Sequence, residues 1–557
     1  MLTQYKKKLE KLLTDALEGV YSSKEDMPFI EVDMPIDNSH GEFTTNIAMR
    51  SARVLKKSPM DIAQKFLEEI NKSLSASDIG DLFDDIQIKA PGFINFYCNP
   101  KAIQKVIGMV FSCGDDFGKM DFGQGKKVQV EFVSANPTGP LSVAHARQAV
   151  VGDVLVNILN ALGFEAHKEY YINDGGNQIN ILGQSLQLRA EEILGGKIDF
   201  PEDCYQGEYI KDMVQIFMDN QGVKDLEALR ALDPILFRKF GVDYLLDVIK
   251  TDLNDFGVSF DCWSNESKIA DEKSIMEVLE LLKERGFTYE KEGALWFKST
   301  EFGDDKDRVL KKSDGSFTYL SPDIVYHKDK FERGYSKLFN IWGPDHHGYI
   351  PRITAAVEAL GYKKEDLKVL IVQLATIYRQ GQAVSMSTRK GQYISLREVI
   401  DEVGVDAARF FFLMRHIKAH LDFDLELAKK QTPENPVYYI QYAHARVFSI
   451  NKKAQEAKIK IKTSNFNLLD KDEELDLMKK IGSFSESLKY CYDQSDPYPL
   501  ISYLQELATC FHKFYDSHKV IGDDVAVSEE RLGLVNATRI VLANGLKLLG
   551  VSTPEQM

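Results

Sequence analysis

The stretch from Lys126 to Ile172 constrains the fold more than any other part of the chain. KKVQVEFVSA alternates Val128, Val130 and Phe132, the period-two pattern of a strand. After the loop NPTGPLSVAH, the residues Val151, Val154, Leu155, Ile158, Leu159 and Leu162 recur at helical spacing, and Gly163 ends the run. A second strand pattern, AHKEYYI, follows. Strand, loop, helix, strand is the opening of a parallel α/β sheet, because parallel neighbours need a crossover and the helix supplies it. Ligands of such sheets sit at the carboxyl ends of the strands, so the loop is the first place to look for chemistry. It leads into a helix N-terminus, whose free N–H groups and positive dipole end suit a phosphate. Pro137 and Pro140 fix an irregular backbone, Gly139 lets a ligand approach closely, and Ser142 and His145 bring polar side chains to the helix start.

At 557 residues and roughly 150 residues per domain, three or four domains are expected. In residues 1–118, helical patterns such as Met60–Leu74 alternate with a strand pattern at Ala90–Cys98, and GKMDFGQGKK reads as a linker. From about 195 to 305 helices lie between polar turns, which predicts an insertion. Strand patterns return at KLFNIWG and LKVLIVQL, and beyond Gln431 the chain reads as helical almost throughout.

The net charge of −15 argues against a protein that coats nucleic acid non-specifically. Local strips run the other way. Tyr378–Arg397 holds Arg379, Arg389, Lys390 and Arg397 without one carboxylate, around a small polar centre containing Met386 and Ser387. Such a basic loop suits the clamping of a triphosphate. Arg446–Lys462 carries six basic residues against Glu456. The six cysteines form no C-x-x-C pair, which fits reduced thiols in a cytoplasmic protein and no zinc site. His416 and His420 stand four apart without a third ligand, so no metal site is expected. No apolar run reaches the ~18–20 residues of a membrane span, and the lysine-rich N-terminal stretch lacks the apolar core of a signal peptide.

EFVSANPTGPLSVAHARQAVVGD and VSMSTRKGQYISLREVIDEVGVDAARFFFL resemble the two ATP-binding signatures of class I aminoacyl-tRNA synthetases, in the version of the arginyl-tRNA synthetases. GEFTTNIAM, APGFINFYC, YYINDGGNQI, TYLSPDIVYH, NPVYYIQYAHAR and LANGLKLLGVSTPEQM extend the match in family order across nearly the whole chain. Two departures stand out. Where the first signature usually reads H-x-G-H, the chain has Ser142-Val143-Ala144-His145. The second, K-M-S-K-S in the wider class, is Ser385-Met386-Ser387-Thr388-Arg389, without either lysine.

The resemblance implies an α/β Rossmann-type catalytic domain with an insertion (119–425), flanked by an α+β N-terminal domain (1–118) and an all-α C-terminal helical bundle (426–557). It implies ATP, carrying its own Mg2+, as cosubstrate, L-arginine as substrate and tRNA(Arg) as partner, with no membrane role and a monomeric state. By motif position, ATP falls to Ala135, Pro137, Gly139, Pro140, Ser142, His145, Gly343, His346 and Met386. Catalysis falls to His145, Ser387, Arg389 and Lys390, the last two carrying the charge on the pyrophosphate. Arginine falls to Glu131, Asn136, Tyr319 and Asp323, whose types suit a planar, permanently charged guanidinium and its α-amino acid end. tRNA contacts fall to Phe93 and Asn95 in the first domain and to Tyr442, Tyr515 and Met557 in the last. A class I synthetase for another amino acid and a non-catalytic tRNA-binding relative are the competing readings.

Overall fold

The computed structural model describes residues 2–21, 23–35, 38–384 and 393–557. Its centre is a five-stranded, wholly parallel sheet. In chain order the strands are β1 (Lys127–Glu131), β2 (Glu165–Ile172), β3 (Cys262–Asn265), β4 (Lys337–Trp342) and β5 (Leu367–Ile371). Their order across the sheet is β5-β4-β1-β2-β3, the doubly wound arrangement with its switch point between β1 and β4. Three helices matter for the site: α1 (Val143–Ala161), α2 (Gly176–Ile193) and α3 (Leu320–Glu332).

Helix α1 is buried on nearly every side. Gly152 explains how it lies so close to the sheet: a Cβ there would come within 2.2 Å of the Phe132 ring. Asp153 on the same helix holds two cations, the partly buried Lys168 at 2.5 Å and the fully buried Arg409. Arg409 also donates to the Phe256 carbonyl at 3.0 Å and to the Leu549 carbonyl at 2.8 Å.

The segment expected as one insertion is not one block. Strand β3 lies inside 195–305 and pairs with β2 in the central sheet, its aromatic Trp263 stacked on Tyr170. Before it, α2 packs with the helices Glu208–Gln221 and Pro234–Asp255 around its own core of Leu182, Leu186, Ile210, Met213 and Phe217. After it comes a separate three-stranded antiparallel sheet, Thr288–Lys291, Ala294–Phe297 and Arg308–Lys311. The short period-two signal of β3 was hidden among helical neighbours.

In the N-terminal part, an antiparallel sheet of Phe43–Thr45, Phe93–Cys98 and Phe83–Lys89 packs with helices. The C-terminal part is a bundle of five helices, from Pro436–Glu456 to Val525–Leu549. The last is long and apolar enough to cross a membrane by composition, but it is the buried centre of the bundle. The charged stretch after Glu456 is not helical until Asp472.

Candidate active site

A cleft of about 590 Å³ opens at the carboxyl ends of β1 and β4, over the switch point. At one end stands the start of α1. His145 Nδ1 accepts the Ser142 N–H at 3.2 Å. That bond puts the ring proton on Nε2. Burial pulls the imidazole down to about 4, against the charge of Asp345, so the ring is neutral near pH 7. First-turn N–H groups of the helix complete a donor set without a formal charge.

The loop before α1 is held from outside. Tyr209, from the helix Glu208–Gln221, donates to the Thr138 carbonyl at 2.7 Å, and Tyr393 donates to the Pro140 carbonyl at 3.0 Å. A Cβ on Gly139 would come within 3.2–3.3 Å of both hydroxyls. Pro137, Gly139 and Pro140, expected against the nucleotide, are not among the described residues that line the cleft; they shape the loop beneath two tyrosines. Ala135, Ser142, His145, Gly343 and His346 do line it. The Leu396 N–H bonds the Leu141 carbonyl at 2.8 Å, and the Val143 N–H bonds the Ile394 carbonyl at 3.3 Å. The segment after the second signature is thus paired to the first. Met386, Ser387, Arg389 and Lys390 themselves lie outside the described residues.

At the other end the cleft is acidic. Asp323 sits in the first turn of α3, not at its cap, and Tyr349 donates to its carboxylate at 2.5 Å. Burial pushes this carboxyl up to about 7; the Tyr349 bond opposes the rise, and the charges of Glu131 and Glu266 add to it. Tyr171 lines the cleft and donates to Glu266 at 2.8 Å. Burial and the surrounding carboxylates push the Tyr171 hydroxyl upward. Glu266, just past β3, is an acid the sequence reading missed, for the same reason that β3 itself was hidden.

Beneath these groups lies a polar layer between sheet and helix. Lys330, fully buried on α3, donates to Glu131 at 2.5 Å and to Asn340 at 3.2 Å. Asn340 donates to His327 Nε2 at 2.8 Å, and His327 Nδ1 donates to the Asp323 carbonyl at 2.7 Å. Burial, helped by Lys330, drives His327 down to about 3. Beside it, Glu169 accepts Ser264, Tyr326 and both arms of Arg333. Those bonds and charges overcome the cost of burial and hold Glu169 at about 2. Tyr326 stacks on Tyr171 with centroids 4.4 Å apart. The turn after β1 is strained: Val133 (φ 66°) and Ser134 (φ 40°) both lie in the left-handed region, which costs about 1–3 kcal/mol per residue. Ser134 Oγ offsets this by donating to Glu131 at 3.0 Å and accepting the Tyr171 N–H at 3.1 Å.

Residues 111–418 match the family model for the catalytic domain of class I tRNA synthetases of the arginine type. Flanking matches are to the arginyl tRNA synthetase N-terminal domain (7–98) and the DALR anticodon binding domain (440–557). An arginine–tRNA ligase of Syntrophotalea carbinolica is 46% identical over 99% of this chain and all of its own length. One from Bacillus licheniformis is 45% identical over the full length of both. The chain belongs to the class I arginyl-tRNA synthetases. Among solved structures, a putative arginyl-tRNA synthetase from Campylobacter jejuni superimposes with a TM-score of 0.75 at 35% identity, covering 82% of this chain and all of its own. The Thermus thermophilus arginyl-tRNA synthetase shares the fold at 21% identity, with a TM-score of 0.75 over 99% of this chain and all of its own.

Against that family frame, the remaining expected residues divide. Asn136 lines the cleft and donates to Gln178 at 2.6 Å, while Tyr319, 74% exposed, stands outside the cleft in a small adjoining cavity that Asn136 shares. Phe93 is partly exposed at a strand end, but Asn95 is 1% exposed and accepts from Thr44 at 2.6 Å. A side chain so buried is no contact surface, so Asn95 braces the sheet instead. In the synthetase's C-terminal bundle, the Arg446 guanidinium lies between the Tyr442 and Tyr515 rings, 4.9 and 5.0 Å from their centroids. Met557 is exposed. His416 bonds Asp496 and His420 bonds Thr376, so the two histidines do not form a pair.

Proposed function

We propose that this cleft joins L-arginine to ATP, giving arginyl-adenylate and pyrophosphate, and then passes the arginyl group to the 3′ end of tRNA(Arg). The observation that carries the reading is a cleft with two carboxylates, Glu131 and Asp323, at one end, backed by Glu266 behind Tyr171, and a helix N-terminus with a neutral histidine at the other. Asp323 takes the guanidinium, helped by the field of Glu266, and Glu131 takes the α-amino group. Each charged hydrogen bond of this kind is worth about 1.5–3 kcal/mol. Asn136 faces the amino-acid end, with Tyr319 beside it in the adjoining cavity. A lysine substrate would leave acceptors unpaired in a dry pocket, and such a site rejects the analogue without editing.

ATP lies against Ala135, Gly343 and His346, carrying its magnesium ion. The arginine carboxylate oxygen attacks the α-phosphorus; the bond to the bridging oxygen breaks, and pyrophosphate leaves with the electron pair. His145 donates from Nε2 to a phosphate oxygen as charge builds, and the Arg389/Lys390 segment takes the charge of the departing pyrophosphate. In the second step a terminal ribose hydroxyl of the tRNA attacks the carbonyl carbon, and AMP leaves. No side chain becomes covalent; catalysis rests on positioning and electrostatics.

The test is arginine-dependent charging of total tRNA, with pyrophosphate exchange run over the other amino acids. Charging by arginine alone is expected. Exchange with a different amino acid would redirect the specificity assignment, and tRNA binding without any charging would favour the non-catalytic reading.

A further inference from the structure

We infer that Lys330 is a positioning residue for arginine: it is the resident cation that holds the acids of the pocket ready, without touching the substrate. The inference rests on the assignment of Glu131 and Asp323 to arginine given above. Glu131 and Asp323, with the charge of Glu266 added, repel one another in a low-dielectric site, and an unliganded pocket would relax by moving or protonating one of them. Lys330 prevents the first. Its ammonium is 0% exposed, bonds Glu131 at 2.5 Å and lies 4.1 Å from the Tyr326 ring centroid.

Its second bond matters as much. Lys330 must face Asn340 Oδ1, which turns the Asn340 amide NH2 to His327 Nε2, which leaves the His327 Nδ1 proton for the Asp323 carbonyl. Lys330 can only donate and the Asp323 carbonyl can only accept, so the chain between them has one direction. It ties the backbone of Asp323 on α3 to the side chain of Glu131 at the end of β1. Reversing any member would set donor against donor or acceptor against acceptor.

The charged and titratable groups around Asp323 come from every neighbouring element. Glu131 ends β1, Tyr171 lies on β2, Glu266 follows β3, Tyr349 precedes the next helix, and His327 and Lys330 share α3. Among them Lys330 is a cation that favours the ionised form of Asp323. Removing it should make arginine binding require a higher pH, a change that mere loosening of the fold would not produce.

The experiment measures the arginine KM, the ATP KM and kcat for charging between pH 6 and 9 in the full-length protein. Lys330→Met is expected to raise the arginine KM about fivefold at pH 7, leave the ATP KM within threefold, and move the midpoint of the arginine pH profile up by about one unit. Lys330→Arg, which keeps the charge, should hold the midpoint. Should Lys330→Met fail to fold, Glu131→Gln, in which Lys330 keeps its Asn340 bond, and Glu131→Gln/Lys330→Met, in which the pair is neutral, carry the test. The single variant should lower the midpoint and the double variant should bring it back up. An equal midpoint in the two, or a Lys330→Met that loses kcat with its midpoint unmoved, overturns the inference. If the wild-type protein shows no arginine-dependent charging, the functional reading fails instead.

Discussion

At one end of the cleft, a neutral imidazole and first-turn N–H groups face the space proposed for ATP. At the other, Glu131 and Asp323 line the space proposed for arginine, with Glu266 bonded to Tyr171 beside them and Lys330 buried behind. The nucleotide's charge is redistributed during the reaction, whereas a guanidinium keeps its charge throughout. Fixed dipoles serve the changing charge because they need no reorganisation, and fixed ions serve the permanent one. The difference also shows in the scaffolding. The neutral end is held by hydroxyls on backbone carbonyls, Tyr209 on Thr138 and Tyr393 on Pro140, while the ionic end is held by a relay of side chains that reaches the backbone only at the Asp323 carbonyl.

The largest expected effect breaks the neutral end. His145→Ala should cost about 10²–10³ in kcat for pyrophosphate exchange, the usual price of one preorganised donor, with the arginine KM nearly unchanged. A loss under tenfold would move the burden elsewhere. Asp323→Asn strikes the ionic end and should raise the arginine KM about ten- to hundredfold, by loss of one charged bond, while leaving the ATP KM alone.

pH separates the ends without mutation. Asp323 is raised to about 7 in the folded protein, so the free pocket favours its protonated form below that value. A guanidinium selects the ionised form, and binding must expel the proton. Arginine affinity should therefore rise about tenfold per unit up to pH 7 and level off above it. Titration by arginine KM or calorimetry checks this; an affinity flat from pH 5.5 to 8 would contradict it. His145, at about 4, should add no step in that range. The smallest effect is Tyr209→Phe, which loses one neutral hydrogen bond of about 0.5–1.5 kcal/mol. It should raise the ATP KM two- to tenfold and spare the arginine KM.

The parallel core was legible because its signals are periodic: β1, α1 and β2 follow from Val128, Val130 and the three- and four-residue spacing after Val151. Strand β3 was not, since four residues between helices carry almost no period, and Glu266 was lost with it. Residue types at motif positions placed Glu131, Asp323 and His145 in one cleft. They could not tell Asn95, turned into a sheet, from Phe93, turned partly out of it. Nor could they show that Gly139 answers to two tyrosines from distant segments, or that Val133 adopts a backbone its β-branched side chain opposes. Nothing in the segment KDKFERG marks one of its lysines as buried; the burial of Lys330 depends on Asn340 and Glu131 meeting it from two strands.

Arg409 carries a consequence for how the protein is made. Its guanidinium is closed on one side by Asp153 of α1 and on the other by the Leu549 carbonyl, supplied 140 residues later. Asn157 reaches the same helix end, at the Leu548 carbonyl. On the ribosome, the nucleotide-binding sheet can emerge whole and still lack the lid over a buried cation until the final helix of the bundle has been synthesised. A message broken just before that helix would thus yield not a shorter working enzyme but a chain with an open, charged seam in its centre, a substrate for proteases and chaperones.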